Sequence, residues 1–471
     1  MRRLKRHHKN TLRLVGILAI ALAIASTVKL ATNYVPFVNK AYMEVTGVRA
    51  NLTINFGRQG TFTPHWKYLA QGGEEKSGLQ AVIKNVQKLE PTYIRIDHVY
   101  DFYDPVKKDA NGYLVFDWVN LDKEIKVIES MGARPFLALS YMPKALSKSN
   151  ELDLPYSWDE WKLVVQRTIE HVSGISELGI AGVYYEIWNE PDLFGNFKTT
   201  GSKNYLTLYD YAEKGAREAR GVLPFKIGGP ATTAFYRNWF TDFFTYAQRN
   251  NLRVDFYSWH IYSKNISSFE DSLQMAGELL KRYPRYLNTQ FVISESGFTS
   301  ENDPGYDTFF GAIHALSMFA TTFQKNAMIF TFEIKDGLGQ GKYWGRWGIL
   351  THEKFGVPAE KPRFAAIEFL NAMTGKWLDL RGQGSWVKAF ATYRKDEKTL
   401  RLLVTNYDPY GTHRESVPIT FTNLPSQKVR VKRVDFLGQT KELSIEIQEG
   451  VLKTEQLFEP NSAGIFEIIL D

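Results

Sequence analysis

Cysteine is absent from all 471 residues, which excludes disulfides, thiolate metal sites and cysteine nucleophiles. A chain without cross-links has to hold itself together by packing. The few histidines show neither a His-Glu-x-x-His pattern nor another ligand spacing, so no metal site is expected. No Gly-rich phosphate turn follows the first strand candidate, and no nucleotide or other cofactor is expected. Internal repeats and low-complexity tracts are also missing, which argues against a solenoid or a long disordered arm.

A basic surface is missing too, despite the formal charge of +7. Arg2, Arg3, Lys5, Arg6, Lys9 and Arg13 supply six of the 58 basic residues, leaving 52 against 51 acidic ones in the remainder. That near balance argues against nucleic acid as a partner. The basic cluster runs straight into the one long apolar segment, Leu14 to Val28, with a small-residue triplet at Ala23-Ile24-Ala25. The pattern is that of a signal peptide or signal anchor within residues 1–35. Positive charge before the segment sends the body outward. The expectation is an exported protein on the extracytoplasmic or periplasmic side, tethered to the membrane, with a cleaved signal peptide as the alternative.

What is present in quantity is apolar and aromatic residue, 44% and 14% of the chain, enough for a large core and more than one domain. Over residues 45–376 short β-rich runs alternate with amphipathic stretches. The strand candidates are Val48–Ile54, Thr92–Asp97, Arg134–Ser140, Gly182–Trp188, Phe225–Gly229, Val254–His260, Gln290–Ser294 and Ala327–Phe332. Eight strand-then-helix units predict an α/β fold, a (β/α)₈ barrel, with a doubly wound sheet as runner-up. Over residues 380–471 strand-like runs follow one another without a helical period, which predicts a small antiparallel β-sandwich.

Two strand ends carry acids. Glu190 follows Tyr184-Tyr185-Glu186-Ile187-Trp188-Asn189 and precedes Pro191, while Glu295 follows Phe291-Val292-Ile293-Ser294. Burying an unpaired carboxylate is costly, so such acids do little for folding. In a barrel of this kind catalytic groups stand at the C-terminal strand ends, which here brings strands four and seven to one mouth. Two carboxylates on one rim are the means of cleaving a glycosidic bond. The proton donor needs a raised pKa and the nucleophile a lowered one.

The strand-four pattern resembles the acid/base motif of clan A glycoside hydrolases, most closely family 39. Arg134-Pro135-Phe136 with Met142-Pro143-Lys144-Ala145-Leu146, Gly228-Gly229-Pro230, Asp255–Tyr262 and Lys361-Pro362 are similar to that family's pattern, in the same order. The resemblance implies a retaining hydrolase with Glu190 as acid/base and Glu295 as nucleophile. It implies Asn189 as a donor to the sugar, and Arg95 as a donor to Glu295 unless it pairs with Glu186. Tyr262 is expected to reach the nucleophile, His260 to contact the sugar, and Tyr141, Trp344 and Trp347 to offer stacking platforms, with Trp188 left to packing. Two departures bear on substrate. Asp97 stands where the family's β-xylosidases tend to have His, and Phe330-Thr331-Phe332-Glu333 stands where an aromatic floor is expected, with Glu333 either binding sugar or pairing with Lys335. These departures and the anchor favour a polysaccharide, an exopolysaccharide in particular, as substrate. The alternatives are an exo-acting β-xylosidase-like enzyme, a transglycosylase, or a non-catalytic polysaccharide-binding subunit of a secretion apparatus.

Overall fold

The computed structural model describes residues 47–470 apart from Glu74 and Gln427. The expected anchor segment lies outside the described residues, and among these no helix is long and apolar enough to cross a membrane.

Eight parallel strands close into a barrel, as expected. In chain order they are β1 (Tyr68–Gln71), β2 (Tyr93–Ile96), β3 (Arg134–Leu139), β4 (Tyr184–Ile187), β5 (Lys226–Thr232), β6 (Phe256–Tyr262), β7 (Gln290–Gly297) and β8 (Ala327–Phe332). The helices α1 (Ile83–Lys88), α2 (Val119–Ser130), α3 (Trp158–Val172), α4 (Tyr205–Glu218), α5 (Arg237–Arg249), α6 (Ser267–Leu280), α7 (Phe309–Thr322) and α8 (Pro362–Leu370) each follow one strand. Side-chain oxygens start two of them: Ser157 accepts from the Glu160 amide and Asn204 from the Leu206 amide, replacing bonds the first turn cannot make internally.

One strand is reassigned. The Val48–Ile54 run is not the first barrel strand; its counterpart, Leu52–Gly60, joins the second sheet. There it runs parallel to Glu415–Thr422, with Leu52 opposite Ile419, and antiparallel to Lys376–Arg381. Its alternating apolar residues bury Leu52 and Ile54 among Leu402, Val404, Phe421 and Phe466, the core of that ten-stranded, largely antiparallel sheet. Helix α7 lies between the two units and is apolar on nearly every side for that reason. Its Ser317 hydroxyl donates to Thr405 Oγ1 of the sheet at 2.7 Å.

Inside the barrel, period-two alternation stacks the inward residues in layers. A lower layer packs Phe136, Tyr184, Phe256 and Phe330, with Phe136 4.9 Å from Phe330 between ring centroids. Gly228 makes room for it, since a Cβ there would stand 2.6 Å from Phe256 Cγ. Two residues further along β2 and β4, the same inward face presents Arg95 and Glu186. Their fully buried pair, 2.7 Å from Nε to Oε2, is the platform under the mouth.

Candidate active site

Strand β4 ends in a turn that places Trp188 at φ +75° and Glu190 at φ +46°, left-handed backbone that non-glycine residues seldom adopt. The Glu190 amide donates to Ala231 O at 2.9 Å, holding this conformation against the end of β5. Across the mouth, β7 shifts register against β6 between Ile293 and Glu295, which sets Glu295 opposite His260. The two glutamates separated by a hundred positions thereby meet. One carboxylate oxygen of each, together with a ring nitrogen of His260, lie within 4.8 Å of one another.

Arg95 organises the floor. Its Nη1 donates to Glu295 Oε1 at 3.0 Å, its Nη2 to Asn189 Oδ1 at 2.7 Å, and its Nε to Glu186. Both readings of this arginine therefore hold at once, because the guanidinium fork serves three acceptors. Tyr262 donates to Glu295 Oε2 at 2.7 Å, where it was expected. Asn189 is oriented by Arg95 and donates through Nδ2 to the Tyr141 hydroxyl at 3.1 Å.

Other expectations change. His260 is fully buried, and its Nδ1 lies 2.8 Å from Glu190 Oε1, so it backs the glutamate. Tyr141 is buried against His98, Trp188 and Phe194 and is no stacking platform. Trp188 packs, as read. Phe330 belongs to the barrel's lower layer; the aromatic residue at the mouth is Phe332, two positions on, with Tyr262 and Trp347 against it. Half-buried Trp344 and Trp347 flank the Arg346 guanidinium, which sits 3.4 Å from the Trp347 ring centroid. Glu333 does not pair with Lys335, which bonds Glu75 and Glu353 instead; Glu333 accepts from Gln71 Nε2 at 2.8 Å and from the Gly72 amide. Gln71 was not expected at the mouth because its strand was not among the eight strand candidates. Arg363, in the first turn of α8, donates to the Phe332 and Trp347 carbonyls and ties this side of the mouth together.

The electrostatics also depart from expectation at one point. Burial pushes Glu295 above its ordinary value; His260 and Arg95 pull it down, while Glu190 and Asp97 push it further up. The nucleophile candidate is therefore not held low, because water is excluded from it more completely than its donors compensate. Burial alone would lower His260, yet Glu295 and Glu190 outweigh it and the imidazole rises. Glu333 is driven well above the carboxylate range by burial, with Asp336 adding to it.

The model of the family described as glycosyl hydrolases family 39 matches residues 58–413. Among curated relatives, a β-xylosidase of Caldicellulosiruptor saccharolyticus is 23% identical over 360 residues, 70% of this chain and 72% of that protein. A β-xylosidase of Geobacillus stearothermophilus is 26% identical over 395 residues, 75% of each. Among solved structures, a family 39 enzyme of Xanthomonas axonopodis pv. citri superposes with a TM-score of 0.71 at 16% identity, covering 90% of this chain and 98% of that one. A monomeric β-xylosidase of Caulobacter crescentus gives 0.70 at 17% identity, covering 89% and 99%.

Proposed function

We propose that this chain, which belongs to glycosyl hydrolase family 39 and is a glycosidase, cleaves its substrate with retention of anomeric configuration. The observation that carries this reading is the approach of Glu190 and Glu295 to within 4.8 Å, oxygen to oxygen. Retaining enzymes hold their carboxyl groups about 5–5.5 Å apart, whereas inverting ones need roughly 6.5–9.5 Å to admit a water.

In the first step a Glu295 oxygen attacks the anomeric carbon while Glu190 gives its proton to the departing glycosidic oxygen. In the second, Glu190 takes a proton from water, and that water displaces Glu295. Arg95 and Tyr262 each donate to one Glu295 oxygen, so the attacking group is aimed and its charge is met. His260 holds Glu190 in place through Nδ1, 2.8 Å from Oε1.

The substrate we favour is an extended glycan, with an exopolysaccharide met outside the membrane as the specific candidate. Its support is apolar rim on both sides of the mouth. Phe194, 39% exposed, and Tyr236, 37% exposed, stand on the loops after β4 and β5, and Tyr343, 57% exposed, on the loop after β8. The second reading, release of single xylose units, is favoured by the names of the curated relatives.

Trapping with a 2-deoxy-2-fluoro glycoside and mapping the adduct tests the chemistry; the label belongs on Glu295. The first-formed product is expected to keep its anomeric configuration by NMR, and an inverted product would sink the reading. Glu190→Ala is expected to lower turnover by about 10²–10⁴-fold. A ladder of oligomers from polymer marks endo action, and monosaccharide alone marks the xylosidase-like alternative.

A further inference from the structure

Asp97 is the first residue beyond β2, two positions after Arg95, and points into the same mouth. It is only 7% exposed, and no residue among those described donates a hydrogen bond to its carboxylate. The acids around it are all engaged. Glu186 has Arg95, Glu190 has His260, Glu295 has Arg95 and Tyr262, and Glu333 has Gln71 and Gly72. The neighbouring His98 is held through one ring nitrogen by Asp101, 2.7 Å from Nδ1 to Oδ2. Asp101 in turn accepts from the Tyr141 amide at 3.1 Å.

A carboxylate that is nine-tenths buried without a donor is unfavourable, since desolvation is not repaid by a bond. Its oxygens are not among the polar atoms sealed from solvent, so they open into the mouth. There they lie close enough to Glu295, Glu333 and Tyr141 to push each of those groups upward in pKa. With Glu190 as proton donor, the barrel order points to the part of a substrate that would meet them. The leaving group sits by Glu190 on β4, and β8, β1 and β2, bearing Glu333, Gln71 and Asp97, form the other side. That side receives the glycone, the sugar whose anomeric carbon is attacked.

Resting on the retaining-glycosidase reading, we propose that Asp97 is a specificity residue that accepts a hydrogen bond from the glycone, and that the glycone subsite takes neutral or amino sugars and excludes uronates. The donor is a hydroxyl or an ammonium. A glycone carboxylate would face Asp97 and Glu295; Arg95, the guanidinium beneath them, already serves three acceptors, and His260 Nδ1 is held 2.8 Å from Glu190 Oε1.

The test is equilibrium binding of non-hydrolysable S-linked aryl β-glycosides of xylose, glucose, glucosamine and glucuronic acid. It uses the full chain and its Asp97→Asn variant, with thermal unfolding as a control for folding. The wild type is expected to bind the glucoside at least roughly tenfold more tightly than the glucuronide, from like-charge exclusion at short range. Asp97→Asn should narrow that gap and weaken the bound sugar by roughly 10–100-fold, as expected for loss of a charged acceptor. Weakening of glucoside and glucosaminide alike identifies a hydroxyl donor, and weakening of the glucosaminide alone identifies an ammonium. Glucuronide bound as tightly as glucoside, an unchanged order in Asp97→Asn, or no binding by any of the four overturns the proposal. The O-linked counterparts separate the two readings. Retaining turnover with unchanged sugar preference defeats only the role of Asp97, while the expected binding order without turnover defeats only the hydrolase reading.

Discussion

Arg95→Met removes the one guanidinium that joins the barrel interior to the mouth. Arg95 and Glu186 are fully buried and Glu295 nearly so. Loss of the cation leaves Glu186 with no partner for either oxygen, since its Oε1 has none already. Breaking a buried pair from one side costs about 3–5 kcal/mol. At roughly 1–1.5 °C per kcal/mol for a unit of this size, Tm should fall by roughly 3–8 °C. Adding Glu186→Leu removes the stranded charge and should recover most of that loss, because an apolar replacement of a buried pair is often neutral or better. Activity should behave differently. Glu295 still lacks Arg95 in the double variant, so its pKa, raised by burial, rises further. Since the nucleophile must be ionised, the acidic limb of kcat/KM moves to higher pH in both variants. Calorimetry and a pH profile on wild type, both singles and the double variant form the complete cycle. A single Arg95→Met costing under about 1 kcal/mol, or a double variant with wild-type kcat/KM, would refute the reasoning.

Two further outcomes follow from buried acids. Burial pushes Glu124 to about 7 from 4.5, with the Leu79 backbone and Lys335 offsetting it only in part. The folded state thus holds a proton that the unfolded chain has lost between those values, so stability falls as pH rises through this window. Glu124→Gln should therefore raise Tm at pH 8 by an amount equivalent to roughly 1–3 kcal/mol and change little at pH 4, as a thermal scan at each pH will show. Burial disfavours the charged form of Glu333, so Glu333→Gln, whose amide oxygen can still accept from Gln71 and Gly72, should keep kcat/KM for its substrate within about fivefold; a loss beyond about 10²-fold would mean that it works as a carboxylate.

Much of this was readable in the chain. Glu190 and Glu295 stood out because an acid directly after a buried apolar strand has no folding role, and the sequential strand-helix rhythm left little choice but a barrel. Val48–Ile54 alternates like a barrel strand, and only its pairing with residues some 370 positions away, Leu52 with Ile419, assigns it to the other sheet. Tyr68–Gln71 is no shorter than β2 and β4, but the Val48–Ile54 run already stood as the first of eight strands, and Gln71 was lost with it. Within Phe330-Thr331-Phe332-Glu333, period two leaves the height along the strand open: Phe330 and Phe332 both face inward, one in the packed layer and the other at the mouth.

By itself the sequence determined which acids face outward from strand ends and that eight such ends share a rim, because both are matters of local pattern and chain order. Only the tertiary structure decided what those acids feel. That Arg95 serves Glu186, Glu295 and Asn189 together, that His260 backs Glu190, that burial raises Glu295, and that Asp97 is left without a donor all depend on distances across the barrel. Hydrogen bonds and desolvation act over a few ångströms of space, and no local pattern in the chain records which distant residues will share them.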